Sequence, residues 1–167
     1  MLDDILAPGL SVVFCGTAAS ARSAAVMQYY AGRGNKFWRV LHQTGLTPRL
    51  LSPSEYRSLP EFGIGLTDIA KGQSGADKDI VFDARGAERV REKVMRFQPR
   101  FLCFNGKRAA QEFLGRNDVG YGSRSERIGA TALHVLPSTA GLASGFWDER
   151  LWHEFARMVR EPSSQPG

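Results

Sequence analysis

The chain has 167 residues, 43% of them hydrophobic and 23% charged, and 22 Lys and Arg against 17 Asp and Glu leave a net charge of +5. That balance excludes a disordered, collagen-like or coiled-coil chain, and no stretch approaches the roughly 20 apolar residues of a membrane span. Two cysteines without CxxC spacing and three scattered histidines argue against a zinc centre and an iron–sulfur cluster, so no metal site is expected.

The first residues, Met1-Leu2-Asp3-Asp4, lack the basic start and apolar core of a signal peptide, which predicts a cytoplasmic protein. Ser11–Cys15 is the first of four short apolar runs that read as buried strands. Phe37, Val40, Leu41 and Thr44 follow at helical spacing, with Asn35 placed to cap that helix. Pro53–Leu59 reads as a short helix with Ser52 as its N-cap. Gly63–Thr67 is the second strand, and Ala87, Val90, Val94 and Phe97 form the next helical stripe. On that helix Arg85, Arg89, Arg91 and Lys93 read as the outward face. Arg100–Phe104 and Leu133–Leu136 are the third and fourth strands, and Trp147, Leu151, Phe155 and Met158 form the last helical stripe. Cys15 and Cys103 lie in apolar strands and read as buried structural thiols. Residues 1–160 are expected to form one domain and the Pro/Ser/Gly-rich 161–167 a flexible tail.

Strands alternating with helices predict an α/β fold with a mostly parallel sheet covered on both faces. Such sheets bind ligands beyond the carboxyl ends of their strands. Small, polar and basic residues stand there: Gly16-Thr-Ala-Ala-Ser20, then Asp68 with Lys71-Gly-Gln-Ser-Gly75, then Asn105-Gly-Lys-Arg108, then Pro137 to Gly145. The crevice therefore offers backbone amides, the cations Lys107 and Arg108, and the carboxylate Asp68. Gly106-Lys107 is not a P-loop end, because Arg108 stands where Ser or Thr is required, and Gly141–Gly145 is not a nucleophile elbow.

An ordered set of motifs then stands out. It runs from Asp4-Ile-Leu-Ala-Pro-Gly-Leu10 through Val12-Val-Phe-Cys-Gly16, Asn35-Lys-Phe-Trp-Arg-Val40 and Gly65-Leu-Thr67 to Phe104-Asn-Gly-Lys107, Val135-Leu-Pro137 and Gly141-Leu142. In order and spacing, over about residues 4 to 158, this resembles the mismatch-specific uracil-DNA glycosylases, the Mug and thymine-DNA glycosylase branch of the uracil-DNA glycosylase superfamily. The resemblance implies a three-layer α/β/α sandwich with a central, mostly parallel four- to five-stranded sheet. It implies a monofunctional enzyme of base excision repair that flips a deaminated base, most simply uracil in a G·U mismatch, and hydrolyses its N-glycosidic bond. It also implies no cofactor, double-stranded DNA as substrate with single-stranded DNA a further candidate, an abasic-site product, no membrane partner, and a monomer associated with the nucleoid through DNA. Hypoxanthine or xanthine as the base, and a lesion-binding protein without catalysis, are the alternative readings.

Residue by residue, the resemblance places Gly16, Thr17 and Ala18 in the first motif, where the family usually reads Gly-x-Asn-Pro and the Asn holds the attacking water. Ala18 and Ala19 stand there instead, and Asp68 becomes the candidate catalytic carboxylate, its bland alternative being a strand-end cap. Tyr30 matches the aromatic that stacks on the flipped base, with Tyr29 as its rival, and Ser23 and Ser138 match polar base-binding positions. Leu142 matches the wedge that fills the gap left by the base, flanked by Gly141 and Ala143, its alternative being a leucine folded back on the core. Lys71, Lys107 and Arg108 are candidate phosphate contacts, and the Gly72–Asp79 loop is expected beside the base pocket.

Overall fold

The computed structural model describes residues 1–162. Five strands form one sheet in the order β2-β1-β3-β5-β4, with β1 Val12–Gly16, β2 Ile64–Asp68, β3 Phe101–Asn105, β4 Gly122–Ile128 and β5 Thr131–Leu136. The β1–β2, β1–β3 and β3–β5 pairs are parallel, and β4 runs antiparallel to β5. The helices are α1 Ala21–Val26, α2 Phe37–Gln43, α3 Ala84–Phe97, α4 Lys107–Leu114 and α5 Glu149–Arg160, with 3₁₀ turns at Pro53–Phe62, Asp77–Asp79 and Gly141–Phe146.

Period-two alternation along the strands divides the interior into two apolar layers. Val12, Phe14, Phe101, Cys103 and Leu136 face the layer that holds Phe37, Leu41, Trp152 and Phe155 from α2 and α5. Val13, Cys15, Leu102, Phe104, Leu133 and Val135 face the opposite layer, against Val90 and Val94 of α3 and Ala109, Ala110 and Phe113 of α4. Both faces are covered, as near-continuous apolar strands require, and the result is the three-layer α/β fold with a mostly parallel sheet.

Several elements differ from the sequence reading. β4 was not expected, because Gly122-Ser-Arg-Ser-Glu-Arg-Ile128 is polar and its residues alternate half-buried and exposed at the sheet edge. A register shift between Ser123 and Arg127 marks a bulge there, a common way of blunting an edge. The short helix after Ser52 is present with Ser52 at its N-cap, but it is of the 3₁₀ kind, runs on to Phe62 and carries an internal Pro60. The last helix begins at Glu149 behind its Asp148 cap, so Trp147 precedes it and packs on Trp152 at 6.0 Å. The Asn35 side chain does accept from Phe37 N–H (3.0 Å). Cys15 and Cys103 are fully buried, and burial pushes both thiols up. At the C-terminus Arg100 donates to the Glu161 carbonyl (2.7 Å), so the chain is still held at 161, and 163–167 of the expected tail lie outside the described residues. Among the described residues no helix is long and apolar enough to cross a membrane.

The strand order reverses at β1. The chain steps from β1 to β2 on one side, then crosses to β3 on the other, so the loops after β1 and β3 diverge at a topological switch point. The N-terminal segment closes the outer edge of β2: Ile5 bridges Leu66 in both directions, Ile5 N–H to Leu66 O at 2.9 Å and Leu66 N–H to Ile5 O at 2.8 Å. A Cβ at Gly65 would lie 2.5 Å from the Ile5 carbonyl, so this approach needs glycine.

Candidate active site

The floor of the site is the pair of strand ends β1 and β2. Gly16 and Asp68 are register partners. Beyond them the two loops stay joined, by Ile69 N–H to Gly16 O (3.0 Å) and Ala70 N–H to Thr17 O (2.8 Å). A Cβ on Gly16 would lie 2.8 Å from Asp68 Oδ1 and 3.4 Å from the Tyr30 hydroxyl, so glycine makes the space in which carboxylate and phenol meet. Asp68 is 5% exposed, and burial raises its carboxyl above the usual carboxylate range. Lys71 Nζ approaches Asp68 Oδ2 at 3.4 Å and opposes that shift.

Lys71 is not arranged as a phosphate contact. Its ammonium donates to Tyr29 Oη (2.7 Å) and the Leu2 carbonyl (3.1 Å) and pairs with Asp4 (2.8 Å), which engages its three N–H groups before any phosphate arrives. Lys93, expected on the outward face of α3, turns in to pair with Asp4. Arg85, Arg89 and Arg91 are exposed as expected.

One wall is built from the segment after α1. Tyr30 stacks on Phe37 (ring centroids 4.1 Å, planes 27° apart) with a positive φ of 52°. A non-glycine residue there stores about 1–3 kcal/mol of strain, which the surroundings must enforce. The Tyr30 hydroxyl is buried without a hydrogen-bond partner among the described residues, and burial followed by the Asp68 charge raises its pKa. Tyr29 belongs to the core, its hydroxyl donating to Asp3 O (3.0 Å). Ser23 is 2% exposed, and its Oγ accepts from Ala31 N–H and from Ser20 (3.0 Å each), so it ties the Tyr30 segment to α1. Gly75, Ala76 and Asp77 of the Gly72–Asp79 loop form another wall. Ala19 bridges Ser74, and Thr17 Oγ1 donates to Asp77 Oδ1 (2.6 Å).

The far side comes from β3, α4 and the loop after β5. Asn105 and Thr139 clamp each other, Asn105 Nδ2 donating to Thr139 Oγ1 (3.0 Å) and Thr139 N–H to Asn105 Oδ1 (2.9 Å). Ser138 stands so near Gly106 that a Cβ there would lie 3.1 Å from the serine Cβ. Lys107 and Arg108, expected beyond the third strand, open α4. The chain turns at Gly106, whose φ of 110° lets the helix begin at the next residue. Arg108 pairs with Glu112 (2.9 Å), and Lys107 Nζ sits 4.4 Å over the Tyr121 ring.

The rim is the 3₁₀ turn Gly141–Phe146. Leu142 is 91% exposed and Phe146 71% exposed, so Leu142 is not folded back on the core. A Cβ on Gly141 would meet Gly34 Cα at 3.3 Å, which brings this turn against the Tyr30 segment. Lys36 Nζ donates to Ser144 Oγ (3.0 Å) and pins the turn from below.

Together these walls enclose a cleft of about 740 Å³ that Gly16, Thr17, Ala18, Ser23, Tyr30, Asp68, Lys107, Arg108, Ser138, Leu142 and Ala143 all line. Gly141 lies next to it in the rim. Asn105 and Asp77 also line it; the sequence reading set both at the crevice but gave neither a role of its own. Sequence reasoning missed Phe146, which lines the cleft too and whose local signal was a large aromatic beside small loop residues. Among the described residues no group of three His, Cys, Asp or Glu side chains is placed to hold a metal ion. The arrangement offers a buried carboxylate beneath an aromatic wall, small residues that expose backbone, and an apolar projection at the mouth.

Two comparisons bear on this geometry. A solution NMR structure from Methanosarcina acetivorans, described as a candidate uracil DNA glycosylase, is similar with a TM-score of 0.57 at 20% identity, over 96% of this chain and 97% of that one. At that identity the likeness speaks for the fold. The sequence profile of the uracil DNA glycosylase superfamily matches residues 4–156, which takes in every strand and every wall of the cleft. The chain belongs to the uracil DNA glycosylase superfamily.

Proposed function

We propose that the protein is a monofunctional DNA glycosylase that hydrolyses the N-glycosidic bond of a flipped, deaminated base, with uracil opposite guanine as its substrate and an abasic site as its product. The observation that carries this reading is the buried Asp68 carboxylate at the cleft floor beneath a mouth that bears the exposed Leu142. Glycosidic cleavage passes through an oxocarbenium-like sugar, which a nearby anion stabilises. Asp68 is assigned that role, together with orientation of the attacking water.

The leaving base carries negative charge into its pocket. The backbone amides of Thr17 and Ala18 are its assigned donors, a role that needs no side chain. Tyr30 is assigned to stacking, worth about 1–3 kcal/mol per base. Ser138 supplies a hydroxyl at the cleft wall, and Ser23 acts by holding the Tyr30 segment. Extruding a nucleotide costs a few kcal/mol of unstacking, least at a mismatch, and Leu142 with Phe146 beside it refills the gap. Lys107 and Arg108 at the start of α4 are the assigned phosphate contacts. The net charge of +5 suits a polyanionic partner.

The test is cleavage of a labelled duplex carrying one G·U pair, followed by alkali to break abasic sites. Asp68→Asn is expected to lower the single-turnover rate by about 10²–10⁴-fold with duplex binding retained. Equal rates for wild type and variant refute the assignment of Asp68. Wild-type cleavage only of hypoxanthine or xanthine duplexes keeps the reaction and corrects the base, and binding without cleavage of any of them refutes the enzyme.

A further inference from the structure

The charged cluster behind Asp68 has no place in the chemistry described so far. Asp68 lines the cleft on one side and a smaller cavity of about 130 Å³ on the other, and Lys71 lines that smaller cavity. The lysine therefore approaches the carboxylate from behind, away from the place of a bound base. Its position is set by the N-terminal segment, because Asp4 (2.8 Å), the Leu2 carbonyl (3.1 Å) and Tyr29 Oη (2.7 Å) hold the ammonium more closely than Asp68 does at 3.4 Å. Asp4 is itself fixed by Lys93 from α3 and by the Thr67 hydroxyl (2.8 Å). The Ile5–Leu66 bridge then fastens the whole segment to the edge of β2.

We propose that Lys71, held by the Leu2 carbonyl and Tyr29 Oη, is a positioning residue that keeps Asp68 anionic at the cleft floor, with Asp4 competing for its charge. The proposal rests on the assignment of Asp68 as the catalytic carboxylate. Two carboxylates and two ammonium groups balance in this cluster. A buried carboxylate with no cation beside it takes up a proton, and a protonated Asp68 neither stabilises an oxocarbenium ion nor orients water as a base. The other ionisable groups that face Asp68 are Cys15 on β1 and Tyr29 and Tyr30 from the segment after α1, and burial holds all three neutral. Lys71 is thus the cation in contact with Asp68, and Asp4 is its competitor for that cation.

The test is carbon-13 NMR titration of the Asp68 carboxyl in the free full-length protein. Lys71→Met is expected to move its midpoint up by about one pH unit or more, and Lys71→Arg to restore it. Asp4→Asn is expected to move it down, since it removes a negative charge and leaves Lys71 to Asp68. An unmoved midpoint in folded Lys71→Met overturns the proposal, and should that variant not fold, an unmoved or raised midpoint in Asp4→Asn does so. Because the titration is read without DNA, it succeeds or fails separately from the glycosylase assignment. On G·U duplex the acid limb of the kcat/KM profile is expected to follow the same displacements, which a merely structural lysine would not cause. An acid limb that stays put while the NMR midpoint moves removes Asp68, and not Lys71, from the account.

Discussion

Leu142→Ala separates a wedge from an ordinary loop leucine. The substitution removes three carbons from a side chain that is 91% exposed in the free protein. Those carbons bury nothing in the fold, so the melting temperature is expected to stay unchanged. On insertion between bases nearly all of their surface leaves water, and at about 0.8 kcal/mol per buried carbon the loss amounts to about 2 kcal/mol. At 1.4 kcal/mol per decade this is about a 30-fold loss on duplex DNA. A single strand leaves no gap in a base stack to fill, so its loss is expected to be a few-fold at most. The assay is single-turnover kcat/KM on a G·U duplex and on a uracil-containing single strand, wild type beside variant. Equal losses on both substrates, or a lowered melting temperature, refute the wedge.

Gly16→Ala places a Cβ 2.8 Å from Asp68 Oδ1, and the buried carboxylate has little room to retreat. A misplacement on that scale is expected to slow cleavage about 10–100-fold while duplex affinity holds, and full activity would show that the Gly16–Asp68 approach is not needed. His134, 5% exposed and packed on Phe155 at 4.6 Å, has its pKa lowered by burial to about 4. An unfolded chain takes up that proton near pH 6.5, so His134 favours the fold above that pH and the contribution is lost as pH falls toward 4. Between pH 7 and pH 5 the loss is about 2 kcal/mol by urea denaturation, and His134→Leu is expected to abolish it; an equal loss in the variant refutes the assignment.

What was legible in the sequence was whatever burial writes into local pattern. The apolar runs ending at Cys15, Thr67, Phe104 and Leu136 predicted four buried strands, and each begins or ends within two residues of the observed one. β4 was illegible because an edge strand with one wet face carries no apolar run. The positions beyond the strand ends were legible as well, since the parallel topology directs them to one crevice, and Asp68, Lys107 and Leu142 all line it, whereas Tyr30, which lines it too, was placed by the family resemblance. The partners of those residues were not. Lys71 looks like any loop lysine until the Ile5–Leu66 bridge brings Asp4 beside it from 67 positions earlier in the chain. Asp77 looks like a solvated loop acid until Thr17, 60 residues away, donates to it. Such contacts depend on how the segments fold over the sheet, and nothing local encodes them.

On the proposed assignment of Asp68, the small residues of the first motif and the charged cluster behind the carboxylate form one exchange. Ala18 and Ala19 hold no side chain that orients a water. Gly16 and Asp68 are paired on adjacent parallel strands, which lie about 4.8 Å apart. A carboxylate at the end of β2 therefore reaches the ground beside the loop after β1, provided residue 16 has no Cβ in its way. The exchange has an energetic consequence. The end of β2 lies beneath the N-terminal segment, and a carboxylate there loses water on the side away from the cleft. Burial alone would neutralise it, and with it the chemistry assigned to it. The cation that opposes this has to come from behind, because one placed in the cleft would occupy the room of the sugar and base. Lys71 sits three residues after Asp68 and is turned back by Asp4 and the Leu2 carbonyl to meet that requirement. Moving the polar group from one strand end to the next thus demands a glycine in front of it and an anchored lysine behind it, and this chain has both.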